Sequence, residues 1–247
     1  MSDAYEPTHL EWPGLSNVRD LVGMPTTDGG QIAPAALIRA DSLDKLVQEA
    51  RELVREAGVS RIVDLRRTGE FRRAHPFADD TTYVSVPVQD PADSDNSHLT
   101  LAEIYLTMLD LRPELFAEAV AAIADAPDGG VVVHCAAGKD RTGMVVAMAL
   151  SVAGVAPEVI AADYALTEAR LADADRAYLE RVTDPDTREI MRALQATPAS
   201  NMTTVLDHLN TRYGGAEAYL RSGGMTTDQL ERLRSRLVAP GPASVAG

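Results

Sequence analysis

The chain has one cysteine, Cys135, among its 247 residues. A single cysteine excludes a disulfide within the chain and a zinc site built from several cysteines. Free thiols are most common in reducing compartments. The N-terminal stretch also lacks the basic start and the apolar segment of a secretory signal peptide. These absences predict a cytoplasmic protein, while export by a route that needs no such signal stays open.

Aromatic residues and positive charge are also scarce. Aromatics make up 4% of the chain, so we expect a core built mainly from Ala, Val, Leu and Ile. The net charge of −14 argues against broad nucleic-acid binding and against electrostatic attachment to anionic membranes. The longest nearly apolar stretch, 145–156, is shorter than the roughly 20 residues that span a bilayer, so no stable membrane insertion is expected. Any bound anion must be captured by a local group of cations.

One such group is the decapeptide HCAAGKDRTG, residues 134–143. It follows the apolar run 131–133 and precedes an apolar helical pattern, so a buried strand is expected to turn into a helix here. The first N–H groups of a helix have no partner within it, and the positive end of its dipole lies there. A loop of small residues, with Gly138 free to adopt a positive φ, can turn further N–H groups inward. The pattern predicts an anion site with Cys135 at its base and Arg141 at its rim.

Cys135 and Arg141 indicate a chemistry for this site. A guanidinium binds two phosphate oxygens at once, and positive surroundings lower the pKa of a thiol from about 8.5 to roughly 3.5–7.5. The inferred reaction is in-line attack of the Cys135 thiolate on phosphorus, after which water hydrolyses the cysteinyl-phosphate. Backbone amides and Arg141 stabilise the transition state. We expect neither a metal nor a cofactor.

Strand and helix patterns alternate along the chain, which predicts an α/β fold with a mostly parallel central sheet flanked by helices. The predicted strands are 36–38, 61–65, 82–88 and 131–133. The first predicted helix is capped by Asp41 or Ser42 and ends at Gly58. The next three cover 99–110, 113–126 and 142–155. The last helix begins with a capping box of Thr226 and Gln229.

The whole chain is interpreted as one domain. Its core covers about 14–156 and 213–238. The stretch 157–212 is polar-rich and almost entirely helical in pattern, which predicts an insertion or subdomain on that core. Residues 239–247 have no apolar periodicity and are predicted to form a disordered tail.

The decapeptide resembles the H-C-x5-R-[ST] phosphate loop of the cysteine-dependent phosphatases. More narrowly, the chain resembles the bacterial tyrosine phosphatases that also act on phosphoinositides, such as the secreted mycobacterial and listerial enzymes. The resemblance covers nearly all of 14–238 and includes NVRD (17–20), LIRAD (37–41), VDLR (63–66), VIAADY (159–164), YGG (213–215) and YLR (219–221). It implies the cysteine-phosphatase fold, with the helical segment 157–212 as a lid.

The resemblance also implies roles for the loop residues. Cys135 is expected to be the nucleophile, Arg141 the phosphate clamp and Asp140 the general acid. Thr142 is expected to hydrogen-bond to the sulfur and to assist hydrolysis.

The other loop residues are expected to bind substrate. His134 orients the loop and lowers the thiol pKa, and Lys139 is typical of members that accept phosphoinositides. The backbone amides of residues 136–140 bind the phosphate, and the substrate-binding positions therefore include Ala136, Ala137, Gly138 and, in the same motif, Gly143.

A second candidate for the general acid lies outside the loop. Many other cysteine phosphatases take the acid from the segment after the preceding strand, which here is QDPADSDN with Asp90. Asp140 is favoured, and Asp90 is the alternative.

The roles of Arg66 and Arg67, which follow the second strand, are open between two possibilities. Their side chains either face the phosphate loop or form surface salt bridges with Asp64 or Glu70. In a further alternative, Asp64 braces Arg141.

These features predict a protein tyrosine phosphatase that acts on phosphotyrosine proteins, with phosphoinositides or phosphoserine/threonine as further substrates. A dedicated phosphoinositide or inositol-phosphate phosphatase is the alternative, and Lys139 supports it. A protein that binds phosphorylated ligands without turnover is disfavoured, because nucleophile, clamp, hydroxyl and acid candidates are all present.

Overall fold

The computed structural model describes residues 5–47, 50–70, 74–89 and 99–240. Its strands are β1 (Thr8–His9), β2 (Arg19–Asp20), β3 (Gly30–Ile32), β4 (Ile38–Ala40), β5 (Val59–Asp64), β6 (Tyr83–Ser85), β7 (Gly130–His134) and β8 (Val238–Pro240). Six of them form one sheet in the order β1-β2-β4-β7-β5-β6. The pairs among β4, β7, β5 and β6 are parallel, whereas β1 and β2 join the edge in antiparallel pairs. The α/β architecture with a mostly parallel sheet is therefore confirmed.

The helices cover both faces of this sheet. They are α1 (Ala50–Glu56), α2 (Leu101–Leu111), α3 (Pro113–Ala124), α4 (Asp140–Val152), α5 (Pro157–Leu179), α6 (Pro185–Gln195), α7 (Ala199–His208), α8 (Ala216–Ser222) and α9 (Thr227–Leu237). Proline opens α3, α5 and α6, where its missing N–H needs no partner. The predicted capping box of Thr226 and Gln229 is confirmed at α9. Every helix of the described chain is too short or too polar to cross a bilayer.

The central strand β7 divides the apolar core. Val131 and Val133 point into the larger cluster with α3, α4, α8 and α9, whereas Val132 points into the smaller cluster with Trp12 and Val54. This alternation follows from the two-residue period of a strand. Because both faces of the sheet are covered, three consecutive apolar residues are buried in this strand, as the sequence pattern predicts.

The parallel register brings three strand ends to one edge of the sheet. Ala40 at the end of β4, His134 at the end of β7 and Asp64 near the end of β5 are register neighbours. The segments that leave these strands therefore meet around Cys135. This is how the fold assembles a site from residues far apart in the chain.

Two predicted elements differ in the structure. The helix expected after Ser42 is divided into a 3-10 turn at Leu43–Lys45 and the short α1, because the backbone of Leu46 is extended, with a ψ of 128°. The strand expected at 82–88 is shortened to β6, where Pro87 cannot donate to a ladder.

The start of the predicted disordered tail is ordered. Ala239 and Pro240 belong to β8 and pair with Gln31 and Gly30 in a small second sheet. This pairing needs only backbone hydrogen bonds, so the absence of apolar periodicity did not reveal it. Residues 241–247 lie outside the described residues.

The helical stretch 157–212 is only partly separate from the core. The first half of α5 buries Ile160 and Tyr164, and α7 buries Met202 and Val205. By contrast, every one of the 11 residues of α6 remains at least partly exposed. The segment that stands away from the core is therefore α6 with the distal half of α5.

Candidate active site

The phosphate-loop candidate begins where β7 ends at His134 and finishes where α4 begins at Asp140. Gly138 has a φ of 66°, and a Cβ at this position would lie 2.4 Å from the Ala40 carbonyl oxygen. Only glycine fits this turn. The predicted change from strand to loop to helix is confirmed, with the N-terminus of a 13-residue helix beside Cys135.

Arg141 lies at the rim of the loop and is held there by Glu70. Its Nη1 and Nη2 donate to Glu70 Oε2 and Oε1 at 2.6 and 2.7 Å, a bidentate pair. Although burial opposes it, the Glu70 hydrogen bonds and the nearby Cys135 sulfur raise the pKa of Arg141. Burial likewise opposes ionisation of Glu70, yet the Arg141 hydrogen bonds hold the pKa of that carboxyl below its usual range.

Glu70 has a partner that the sequence did not predict. It braces Arg141, the role that one alternative gives to Asp64, and it also lies 3.9 Å from Arg67 Nε, as the salt-bridge alternative predicts. The sequence indicates Glu70 only weakly, as an acidic residue a few positions after a strand that ends beside the loop.

Arg66 forms a salt bridge and does not face the loop. Its Nε and Nη2 donate to the two Asp64 oxygens at 2.9 and 2.8 Å, and its Nη1 donates to Ser42 Oγ at 2.8 Å and to Asp44 Oδ2 at 2.5 Å. Of the two alternatives, the salt bridge with Asp64 is correct, and the pair is buried. The guanidinium is thus engaged by acceptors that follow β4 and by Asp64 at the end of β5.

Asp140 stands at the start of α4 and is contacted by a tyrosine pair. The buried Tyr105 hydroxyl donates to Asp140 Oδ1 and lies 2.8 Å from the Tyr164 hydroxyl. Burial and the neighbouring Asp140 raise the pKa of Tyr105, which therefore stays a neutral donor. Sequence reasoning missed Tyr105 and gave Tyr164 no chemical role. Asp90, the alternative acid, lies outside the described residues.

Lys139 points toward α6. Its Nζ donates to the carbonyl oxygens of Leu194 at 2.5 Å and Gln195 at 3.4 Å, and it lies 3.5 Å from Asp140 Oδ1. The ammonium thus caps the C-terminus of α6, where the helix dipole is negative. This position differs from the one expected for a contact with a multiply phosphorylated head group.

Two other motif residues have different partners from those expected. The Gly143 N–H donates to the Lys139 carbonyl at 2.8 Å, and a Cβ on this glycine would lie 3.0 Å from the Tyr164 ring. Gly143 therefore packs within α4. The Thr142 hydroxyl is buried with no hydrogen-bond partner among the described residues, so its expected bond to the sulfur is not formed.

His134 is fully buried beneath the loop and pairs with a second histidine. Its Nδ1 lies 3.1 Å from the Cys135 carbonyl oxygen, so the proton sits on Nδ1 and Nε2 is a bare acceptor. The Phe77 N–H donates to His75 Nδ1 at 3.2 Å, which puts the His75 proton on Nε2. The two rings stack with centroids 5.1 Å apart, and neither Nε2 has a hydrogen-bond partner among the described residues.

Asp64 joins the histidine pair in a group that sequence reasoning did not assemble. The ligand atoms of Asp64, His75 and His134 lie within 4.8 Å of one another, the spacing of a possible metal site. Both oxygens of Asp64, however, already accept from Arg66. The carboxylate of this group is therefore already engaged in the buried salt bridge with Arg66.

The buried histidines predict a pH dependence of stability. Burial and the neighbouring His134 lower the pKa of His75 from 6.5 to about 3. Unfolding therefore takes up a proton below pH 6.5, and stability falls as the pH drops from 6.5 toward 3, by up to about 1.4 kcal/mol per pH unit for this group. His75→Asn keeps an acceptor for the Phe77 N–H and does not titrate. Urea unfolding between pH 7 and 4.5 should show a shallower loss for the variant, and parallel curves would contradict the assignment.

Comparison with known proteins identifies the family of this chain. Residues 10–239 match the tyrosine phosphatase family. The chain is 29% identical to a tyrosine-protein phosphatase of Nostoc commune, over 86% of this chain and 78% of that protein. It is 26% identical to the triple specificity protein phosphatase PtpB of Mycobacterium tuberculosis, over 92% of this chain and 98% of that protein. This chain is a phosphatase and belongs to the tyrosine phosphatase family.

Proposed function

We propose that the chain hydrolyses the phosphate monoester of phosphotyrosine through a cysteinyl-phosphate intermediate. The observation that carries this proposal is the position of Cys135 between the end of β7 and the N-terminus of α4, with the Arg141 guanidinium at the rim. The helix dipole and the guanidinium both favour a thiolate over a thiol. They also favour a bound phosphate, so one electrostatic environment serves nucleophile and substrate.

The reaction has two displacement steps. The Cys135 thiolate attacks phosphorus in line, the P–O bond to the tyrosine breaks, and the leaving oxygen takes a proton from Asp140. Water then attacks phosphorus while the Asp140 carboxylate takes its proton, the S–P bond breaks, and inorganic phosphate leaves with the thiolate restored. Arg141 neutralises charge on the non-bridging oxygens in both steps. In the structure both Nη atoms of Arg141 donate to Glu70, so a bound phosphate has to share or replace those hydrogen bonds.

Asp140 is proposed as the general acid because the Tyr105 hydroxyl orients its carboxyl beside the loop. We expect Asp140→Asn to lower kcat by about 100-fold, since positioned acids typically contribute 10²–10⁴-fold. The loss should be larger for a phosphoserine peptide than for p-nitrophenyl phosphate, whose leaving group needs no proton. Asp90→Asn is the matched control and should retain kcat within a few-fold. A larger loss at Asp90, with disappearance of the basic limb of the pH profile, would reverse the assignment.

Phosphotyrosine is proposed as the preferred substrate because Lys139 is engaged by the carbonyls of Leu194 and Gln195. A multiply phosphorylated head group would have to compete with those acceptors. Phosphoinositides remain the second candidate, since the lysine lies within the loop and its long side chain has several rotamers. The named specificity of the mycobacterial relative is consistent with both substrate classes.

Rates on the two substrate classes test this preference. Phosphate release from a phosphotyrosine peptide and from phosphatidylinositol phosphates is measured at equal concentrations, with Cys135→Ser as the inactive control. We expect the higher kcat/KM for the peptide, and Lys139→Met should change the two rates to a similar extent. A higher value for the lipid, lost selectively in Lys139→Met, would instead support the phosphoinositide reading. Binding by Cys135→Ser without wild-type turnover would support a binding protein.

We also propose that α6 acts as a lid over the loop. Its residues are all at least partly exposed, and cavities of about 590 and 380 Å³ flank it, one against α5 and one against the start of α2. The Lys139 bond at its C-terminus links it to the phosphate loop. Such a weakly packed element opens at low free-energy cost.

Limited proteolysis tests the lid. Cleavage between α5 and α6, around 180–184, should slow when orthovanadate occupies the loop, because the lid then closes on a filled site. Cys135→Ser and Lys139→Met serve as controls for loop occupancy and for the link to α6. Cleavage at the same rate with and without orthovanadate would contradict lid movement.

A further inference from the structure

Three backbone carbonyl groups of the phosphate loop accept hydrogen bonds on the side opposite the expected phosphate, which is called the rear of the loop. The Ala136 oxygen accepts from the Ser42 N–H at 3.0 Å. Asn17 Nδ2 donates to the oxygens of Ala137 and Gly138 at 2.9 and 3.1 Å. Arg39 Nη2 adds a second bond to the Gly138 oxygen at 2.8 Å. Three successive carbonyls therefore point away from the mouth of the loop.

This anchoring dictates where the loop amides point. In a planar trans peptide the C=O of one residue and the N–H of the next lie on opposite sides. With the carbonyls of residues 136–138 fixed toward the rear, the N–H groups of residues 137–139 face forward. A phosphate would bind to these amides. The hydrogen bonds at the rear of the loop therefore fix the directions of the N–H groups that bind it.

The rear donors are themselves fixed by one buried carboxylate. Asp163 on α5 accepts from Arg39 Nη1 at 2.6 Å and from Arg19 Nε at 2.7 Å. Arg19 Nη1 in turn donates to Asn17 Oδ1 at 2.7 Å, which leaves the Asn17 amide N–H groups to point at the loop. All four side chains are buried, so water does not compete for these bonds.

The strand register explains why a carboxylate is needed there. Arg19 on β2 and Arg39 on β4 are direct cross-strand partners, so their side chains leave the same face of the sheet. Two adjacent guanidinium groups repel one another, and Asp163 offsets one of the two charges. Burial and Arg39 lower the pKa of Arg19 only to about 10, so Arg19 remains charged at neutral pH. Asp163 is therefore shared between two guanidinium groups.

We propose that Asn17, Arg39 and Asp163 are positioning residues of the phosphate loop. They hold its amides toward the phosphate. The proposal rests on the proposed function of the loop, but its physical content is the orientation of the amides. None of the three needs to touch the substrate.

The reactivity of Cys135 tests this directly, because it is the only cysteine in the chain. The rate of alkylation by iodoacetamide is measured against pH in Asn17→Asp, which keeps an acceptor for Arg19 and removes both donors to the loop, and in Asn17→Leu, which removes the donors without adding a charge. We expect the midpoint of this profile to rise by about one pH unit relative to wild type, since each unit corresponds to about a tenfold change in thiolate population. Orthovanadate should bind at least about tenfold more weakly, in keeping with loss of hydrogen bonds to a charged ligand.

Two control variants separate positioning from general destabilisation. Thr167→Val removes a contact to Arg19 at 3.4 Å that does not reach the loop, and it should keep the wild-type midpoint. Leu233→Ala truncates a buried side chain of α9 and should lower the unfolding temperature without moving the midpoint. Asp163→Asn should shift the midpoint in the same direction as Asn17→Asp, and if it does not fold, Asn17→Asp decides.

The outcomes for the positioning network and for the proposed function are distinct. An unchanged alkylation midpoint in a folded Asn17→Asp protein overturns the network, whether or not the wild type is active. Wild-type protein that hydrolyses no phosphate ester and binds no orthovanadate overturns the proposed function, while the alkylation profile still decides the network. A raised midpoint that Leu233→Ala also shows would mean lost stability, and it too would overturn the proposal.

Discussion

The buried ion pairs of Asp163 with Arg19 and Arg39 join α5 to the β2–β4 edge of the sheet and to the phosphate loop. Three charged side chains are taken out of water at one place, which is tolerable only when each is paired with good geometry. To make that pairing, α5 must cross behind the β2–β4 edge of the sheet. The loop between β7 and α4 then lies against the same group through Arg39. A charge cluster therefore determines how strand edge, helix and loop meet.

The site is also notable for how thoroughly its cations are matched. Arg141 has Glu70, Arg66 has Asp64 and Asp44, and Lys139 has two carbonyls. In a chain with a net charge of −14, this pairing keeps the guanidinium groups oriented and limits nonspecific attraction of anions. A phosphate must bind Arg141 more favourably than the Glu70 carboxylate does. Selectivity for phosphate over other anions thus arises from competition with carboxylates and carbonyls of the protein.

Local patterns predicted the parts of the fold whose causes are local. The three valines of β7, the change to α4 at the glycine-containing loop and the capping box at Thr226 all depend on residues within a few positions. The α/β architecture followed from the alternation of these elements. The catalytic candidates Cys135 and Arg141 were found in the same way, because their motif is contiguous.

The residues that sequence reasoning missed are those whose partners lie far away in the chain. Glu70 is 71 positions from Arg141, Asn17 is 121 from Gly138 and Arg19 is 144 from Asp163. No periodicity or spacing encodes such contacts. Lys139 and Arg66 show the related difficulty that a cation near a motif can turn toward any of several acceptors. The pairing of Ala239 and Pro240 with β3 escaped notice because it uses backbone groups alone.

The link between Lys139 and α6 has a consequence for how this region can change over evolutionary time. The acceptors at Leu194 and Gln195 are backbone carbonyls, which every residue type supplies. The side chains of α6 are therefore free to diverge without weakening its connection to the loop. An insertion or deletion within the helix would instead displace those carbonyls from the lysine. Selection at α6 is thus expected to act on helix length, leaving its exposed face open to adapt to different substrates.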